Sequence, residues 1–139
     1  MRKQNGKSER RSGCPLNASV EMLGDRWSLL IIRDMMLLGP RTYTEFLNSY
    51  ERIATNVLAD RLKQLEVYGI LAAERDAKDR RKQIYRLTEK GINLAPVLTE
   101  MVLWAAAHEE TENPELVRAM QKDKEGFNRR IRKLWGMRK

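Results

Sequence analysis

The sequence predicts a mainly helical α+β fold, a series of amphipathic helices interrupted by one small β-hairpin. Three observations lead there. Apolar residues recur at helical spacing through most of the chain. That spacing gives way to strand-like segments once, between about residues 70 and 87. Residues that start or stop helices fall at the ends of the periodic runs. The 139 residues suffice for one domain with a real core.

Residues 1–13 carry Arg2, Lys3, Lys7, Arg10 and Arg11 with two glycines, and read as a flexible basic arm. Order is expected from Cys14-Pro15, because proline suits the first position of a helix, where its missing N–H is not needed. Leu16, Val20 and Leu23 make a short amphipathic helix that ends at Gly24. Asp25 is the expected N-cap of a second helix. Its stripe is Trp27, Leu30, Ile31, Met35 and Leu38, and Gly39-Pro40 stops it.

Thr42-Tyr43-Thr44-Glu45 has the form of a capping box, in which threonine and glutamate bond each other's backbone N–H. It opens a short helix with Phe46 and Leu47 inward. A turn spans 49–53. A longer helix then starts near Thr55 with the stripe Leu58, Leu62 and Leu65, and Gly69 is its expected C-cap. Two helices joined by a tight turn, the second longer, have the helix-turn-helix layout.

Residues 70–75 and 83–87 can both be strands. The segment between them, 76–82, is highly charged and has no apolar residue larger than alanine. Strand, charged loop and strand make a β-hairpin with a basic tip. A helix-turn-helix followed by such a hairpin is a winged helix. Thr88 caps the next segment, where Ile92, Ala95, Val97, Leu98, Met101, Val102 and Trp104 form a long apolar run. Pro96 implies a kink or a restart within it. The run is more apolar than one face of a small domain can bury, which points to a dimer interface.

After the acidic stretch at 109–112 and Asn113-Pro114, one last helix is expected from about Glu115. Its end is strongly basic, through Arg129, Arg130, Arg132, Lys133, Arg138 and Lys139. Three readings of that end stay open: a solvated helix, an extra nucleic-acid contact, or a patch that pairs with the acidic 109–115 stretch. The domain division expected is a basic arm at 1–13, a winged helix-turn-helix with its dimerisation helices at 14–107, and a helical extension at 108–139.

Charge narrows the partner. Lys and Arg number 27 against 19 Asp and Glu, a formal +8. That favours a polyanion, nucleic acid or an anionic membrane surface. No apolar stretch is long enough to span a membrane, and the polar basic start is not a secretory signal. The expected location is the cytoplasm. One cysteine, Cys14, and one histidine, His108, exclude an internal disulfide and cysteine- or histidine-paired metal sites. No phosphate loop or nucleophile–base constellation suggests an enzyme, and no cofactor or metal is expected.

Several stretches together resemble the HxlR-type regulators. They are Cys14-Pro15, Leu23-Gly24-Asp25-Arg26-Trp27, Leu30 to Arg33, Gly39-Pro40-Arg41, Ile53 to Leu62, Leu65 to Leu71, Tyr85 to Gly91, and Leu103-Trp104. The resemblance covers about residues 14–105, and the segment 76–81 is similar to the wing of MarR-type regulators. It implies a dimeric winged helix-turn-helix protein that binds duplex DNA and regulates transcription. In some members a cysteine at the position of Cys14 senses oxidants or electrophiles. Ala54 stands where the family often has a better N-cap, which leaves Thr55 as the expected cap.

Within this layout the candidate DNA contacts lie on the second helix of the motif and on the hairpin. Thr55 and Asn56 open the helix that would enter the major groove, where asparagine can make paired bonds to adenine. Arg61 either binds phosphate or pairs with an acid such as Glu45 or Asp34. Lys63 and Arg41 are placed for backbone phosphate. Arg80, Arg81 and Lys82 at the wing tip are placed for the minor groove or flanking phosphates. Cys14 has two readings, a small buried hydrophobe or a sensor whose thiolate the helix dipole and Arg11 would favour. Leu16, Val20, Leu98, Met101, Val102 and Trp104 are assigned to the dimer interface. Two other functions compete. A non-specific nucleic-acid binder would need no capped recognition helix, and a protein-interaction winged helix would not need a basic wing.

Overall fold

A computed structural model describes residues 10–49 and 51–136. The expectations for residues 1–9 of the basic arm and for Arg138 and Lys139 lie outside the described residues. The order is α1 (Pro15–Leu23), α2 (Ser28–Leu38), β1 (Arg41–Thr42), α3 (Tyr43–Leu47), α4 (Thr55–Val67), β2 (Leu71–Arg75), β3 (Gln83–Leu87), α5 (Glu89–Ile92), α6 (Ala95–His108), α7 (Pro114–Lys122) and α8 (Lys124–Leu134). No helix among the described residues is long and apolar enough to cross a membrane.

The strands form one antiparallel sheet in the order β1-β3-β2. In the hairpin, Leu71 faces Leu87 and Arg75 faces Gln83, so the two strands run in full register to the tip. The two-residue β1 pairs Arg41 with Tyr85 and Thr42 with Ile84. Nothing in a two-residue segment next to a capping box signals a strand; its partner, not its own pattern, makes it one.

Four local expectations are corrected. Asp25 does not stand at the N-cap of α2, whose first helical residue is Ser28. It caps from further out, its carboxylate accepting from the N–H groups of Trp27 (2.8 Å) and Ser28 (3.0 Å) and from the Ser28 hydroxyl (2.5 Å). Leu38 is 64% exposed, while Ile31, Ile32, Met35 and Met36 are buried. The reason is that α2 packs against both α4 and α6, so its buried side is wider than one stripe. Thr55 does not cap α4. Ala54 holds the N-cap backbone position without any side-chain bond, and Thr55 is already helical. The single last helix is two, because the chain breaks at Asp123, whose carboxylate accepts from the Gly126 N–H (3.0 Å) and starts α8 anew.

Other features match the sequence. The Thr42–Glu45 capping box is formed, through Thr42 N–H to Glu45 (2.9 Å) and Glu45 N–H to Thr42 (3.3 Å). Pro96 sits in the first turn of α6, so the apolar run restarts there. Helix α4 buries Leu58, Leu62 and Leu65, each burial contributing about 1.5–3 kcal/mol. It ends in a Schellman motif: Ile70 N–H bonds the Leu65 carbonyl (2.9 Å) and Gly69 N–H the Glu66 carbonyl (3.0 Å). Gly69 takes the left-handed φ of 77° that the motif needs.

Helix α8 runs back along α6. Asn128 meets the buried Thr99 hydroxyl (2.9 Å), Lys124 pairs with Glu100, and Arg132 bonds Asn93. Ile131 joins the same core cluster as Ile32 and Met36. Of the basic end, Arg129, Arg130 and Lys133 remain exposed or half-exposed.

An ionic node ties the helix-turn-helix together. The Arg33 guanidinium makes two bonds to Glu51 (both 2.8 Å) and two to Asp34 (2.7 and 3.0 Å). The bonds from Arg33 hold the Glu51 carboxyl below its ordinary value of 4.5, against partial burial. At Asp25 burial works the other way, but the Ser28 hydroxyl, the two N–H groups and the Arg61 charge together hold it below 3.8. Both folded values are depressed. The stability they confer is therefore complete above the unfolded values and lost as pH falls through the folded ones. Thermal melts should be flat from about pH 8 to 5, then lose stability increasingly below about pH 4.5. Melts that fall already between about pH 7 and 5.5 would show that other groups dominate.

Candidate nucleic-acid interface

Helix α4 meets solvent along the side opposite its leucine stripe. Thr55 and Asn56 in the first turn and Lys63 two turns on are all exposed. Neither Thr55 nor Asn56 spends its side chain on a partner among the described residues. The start of the helix is braced from α3, whose Tyr43 hydroxyl donates to the Thr55 carbonyl (2.9 Å). Tyr43 is a residue the sequence reading missed. It stands inside the capping box, where only Thr42 and Glu45 carry a spacing signal.

The other basic candidates divide by how much of their charge the protein already uses. Arg61 is engaged twice, by Asp60 (2.6 Å) and by Asp25 (3.3 Å). It does pair with carboxylates, but not with the Glu45 or Asp34 expected, since Asp34 belongs to Arg33. Arg41 donates to the Glu45 carbonyl (3.2 Å) and lies over the Phe46 ring, 5.9 Å from its centroid.

The wing tip is built by its two aspartates. Asp76 accepts from the Lys78 N–H (3.0 Å) and Asp79 from the Arg81 N–H (3.1 Å), so each folds its own tight turn. Arg75 at the end of β2 closes the tip by donating to the Arg80 carbonyl (2.9 Å). Acidic residues inside a basic loop thus serve its shape. Arg80 and Lys82 are exposed. Arg81 pairs with Asp79 at 3.0 Å, yet its side chain is 90% exposed. Such a surface pair is worth little and exchanges readily for a phosphate. In the turn between α3 and α4, Arg52 is exposed and left-handed at φ 60°, an unusual conformation for a side chain with a Cβ. It is a further cation that the sequence reading passed over.

Cys14 occupies the N-cap of α1 and is free and exposed, not a buried hydrophobe. Arg11 does not serve it. The Arg11 guanidinium bonds Asn17 (3.0 Å) and Glu21 (3.5 Å), because a carboxylate two turns into α1 competes for it. On the expected dimer face, Leu16, Val20, Met101 and Trp104 are exposed, Trp104 by 67%, and Val97 joins them. Leu98 and Val102 are half-buried instead. With Met36, Met120, Phe127 and Ile131 they line a partly open apolar pocket of about 50 Å³. His108, which had no evident partner in the sequence, lies against Trp104 one turn earlier, ring centroids 5.6 Å apart.

A helix-turn-helix with an exposed second helix, followed by a braced basic hairpin, defines a winged helix-turn-helix protein. Comparison with known proteins agrees. The family model for the HxlR-like helix-turn-helix matches residues 22–113, and the chain belongs to this family of transcriptional regulators. It is 38% identical over 93 residues to the HTH-type transcriptional regulator YodB of Bacillus subtilis, covering 66% of this chain and 82% of YodB. The fold is similar to that of reduced YodB, with a TM-score of 0.59 at 36% identity, over 72% of this chain and 98% of that one. It is also similar to the redox regulator HypR in its oxidised form, with a TM-score of 0.62 at 25% identity, over 70% and 100% of the two chains. YodB has also been solved after diamide treatment and with bound quinone. Cys14 and the helices beyond residue 113 fall outside the matched segment.

Proposed function

We propose that this regulator binds a pseudo-palindromic DNA operator as a homodimer and reads sequence through the start of α4. The observation that carries the reading is the exposed, uncommitted pair Thr55 and Asn56 at the front of a helix whose opposite side is locked into the core. Base edges in the major groove specify, and Asn56 has the donor and acceptor for adenine. Arg80, Arg81, Lys82 and Lys63 supply phosphate contacts that position the protein without reading sequence. Arg41 and Arg61, held by protein groups, act on the protein side of the interface.

The homodimer reading rests on apolar surface. Leu16 and Val20 on α1 and Val97, Met101 and Trp104 on α6 are large apolar side chains left exposed, the kind of surface that marks an interface where it is contiguous. Two-fold symmetry of the protein should be mirrored in the DNA. Selection of bound sequences from a random duplex pool at near-physiological salt should return a two-fold symmetric motif, with half-sites about one or two helical turns apart. Tight, salt-sensitive binding without any motif would instead indicate a non-specific nucleic-acid protein.

The same reading extends to a thiol response at Cys14. Its support is an exposed free thiol at a helix N-cap, together with relatives that include a redox regulator and a protein solved with quinone. With one cysteine per chain, oxidation can yield an intermolecular or a mixed disulfide. A Cys14→Ser variant that releases DNA on oxidant treatment just as wild type does would remove this part of the proposal.

A further inference from the structure

The recognition helix is poorly fastened at its own front end. Ala54 offers no side-chain acceptor for the first-turn N–H groups. What holds α4 comes from elsewhere: its buried leucines, the Tyr43 hydroxyl on the Thr55 carbonyl, and one ion pair that crosses to the α1–α2 junction. That pair joins Arg61 of α4 to Asp25, the residue after Gly24 at the end of α1. Both side chains are about three-quarters shielded from solvent, at 24% and 27% exposure, so salt screens them less than a free surface pair.

Asp25 is already committed elsewhere. Its Oδ2 accepts from Trp27 N–H and Ser28 N–H, and its Oδ1, the oxygen that meets Arg61, also accepts the hydroxyl of the fully buried Ser28. It cannot follow Arg61 if α4 shifts. Asp60 also holds Arg61, but Asp60 is part of α4 and orients the guanidinium without anchoring the helix to anything. We propose that Asp25 is a positioning residue for base reading, which through Arg61 sets the angle at which α4 presents Thr55 and Asn56. The proposal rests on α4 being the reading helix.

The lever is short and steep. Arg61 lies six residues from Thr55, about 9 Å along the helix axis. A rotation of about 10° at Arg61 displaces the reading residues by about 1.5 Å, enough to break a two-point bond to a base. Arg61 as a simple phosphate donor predicts otherwise, because removing the Asp25 charge would then free it and tighten binding.

The test uses the full chain and a duplex selected by wild type from a random pool, beside the same duplex with one half-site base pair changed. Asp25→Asn keeps an oxygen that can cap α2 but loses the charge that grips Arg61. We expect its affinity for the selected duplex and its discrimination against the altered one each to fall about tenfold, with an unchanged salt slope. Arg61→Gln should behave alike, and the double variant should be no worse than either single one. Ser28→Ala removes one bond to Asp25 Oδ1 but keeps the Asp25 charge, its two backbone bonds and the Arg61 pair; it should lower the melting temperature and leave discrimination intact. Hydrogen exchange over residues 55–67 of the free protein should be faster in Asp25→Asn than in Ser28→Ala.

Asp25→Asn binding as tightly as wild type with equal discrimination would overturn the proposal. So would a salt slope reduced by about 0.9 in Arg61→Gln with discrimination intact, which marks a phosphate contact. Unchanged exchange in Asp25→Asn overturns the tether alone. A wild-type chain that selects no motif overturns the reading of α4 itself, whatever the exchange data give.

Discussion

Gly91→Ala should cost the fold about 3 kcal/mol, the upper end of what overpacking by one methyl group usually brings. A Cβ at Gly91 would stand 2.4 Å from the Ile70 carbonyl oxygen and 3.0 Å from a Leu87 methyl. That oxygen cannot retreat easily, since it accepts the Thr88 N–H at 3.0 Å and the Thr88 hydroxyl at 3.1 Å. Those bonds join the foot of the wing to the end of α4, and α5 hangs from them. Denaturant unfolding should show a large loss for Gly91→Ala. Gly13→Ala, where a Cβ meets nothing within 4 Å, should stay within about 0.5 kcal/mol of wild type. Equal stability of the two variants would mean that α5 does not sit against Ile70 as described.

Replacing Arg80, Arg81 and Lys82 together by alanine should weaken DNA binding by a factor on the order of 10²–10³ at 0.1 M salt. The estimate comes from counterion release. Each neutralised phosphate contributes about 0.9 to the slope of log affinity against log salt, so three contacts contribute about 2.7. Arg81 first leaves Asp79, but its own side chain is almost fully in water, so the loss of that pair costs little. The loss should be uniform across sequences if these side chains sit on the phosphate backbone as proposed, since phosphate contacts carry no sequence information. The preferred motif should therefore survive. Titrations at several salt concentrations decide the matter, and a triple variant with the wild-type slope would take the wing off the phosphates.

What was legible in the sequence is what local physics encodes. The Thr42–Glu45 capping box, the leucine stripe of α4, its glycine C-cap, the hairpin ends and the restart at Pro96 each depend on residues a few positions apart. What was not legible depends on partners far along the chain. The strand β1 exists because β3 lies beside it. Leu38 faces solvent because α6 and α4 between them choose which side of α2 is buried. Arg61 finds Asp25, 36 positions away, where spacing suggested nearer acids. The break at Asp123 is of the other kind: its carboxylate caps α8 through the Gly126 N–H only three positions on, a local signal that the sequence reading passed over.

The candidate site divides in the same way. Exposure of Thr55, Asn56 and Lys63 follows from helical phase, and the charge of the wing tip follows from composition. The shape of that tip does not, since it depends on two aspartates that composition counts as opposing charge. Tyr43 and Arg52 escaped for a related reason. One acts through a hydroxyl across the helix-turn-helix, and the other takes a left-handed turn that no glycine announces.

If the first turn of α4 reads bases, Asn56 is the side chain whose loss should change the sequence preferred. Parallel selections from one random duplex pool, with wild type and with Asn56→Ala, test this most directly. Wild type should return a symmetric motif. Asn56→Ala should return the same motif with preference lost at one pair of symmetry-related positions, worth about 1–3 kcal/mol of discrimination there. An Asn56→Ala motif identical to wild type at every position would contradict base reading by this turn.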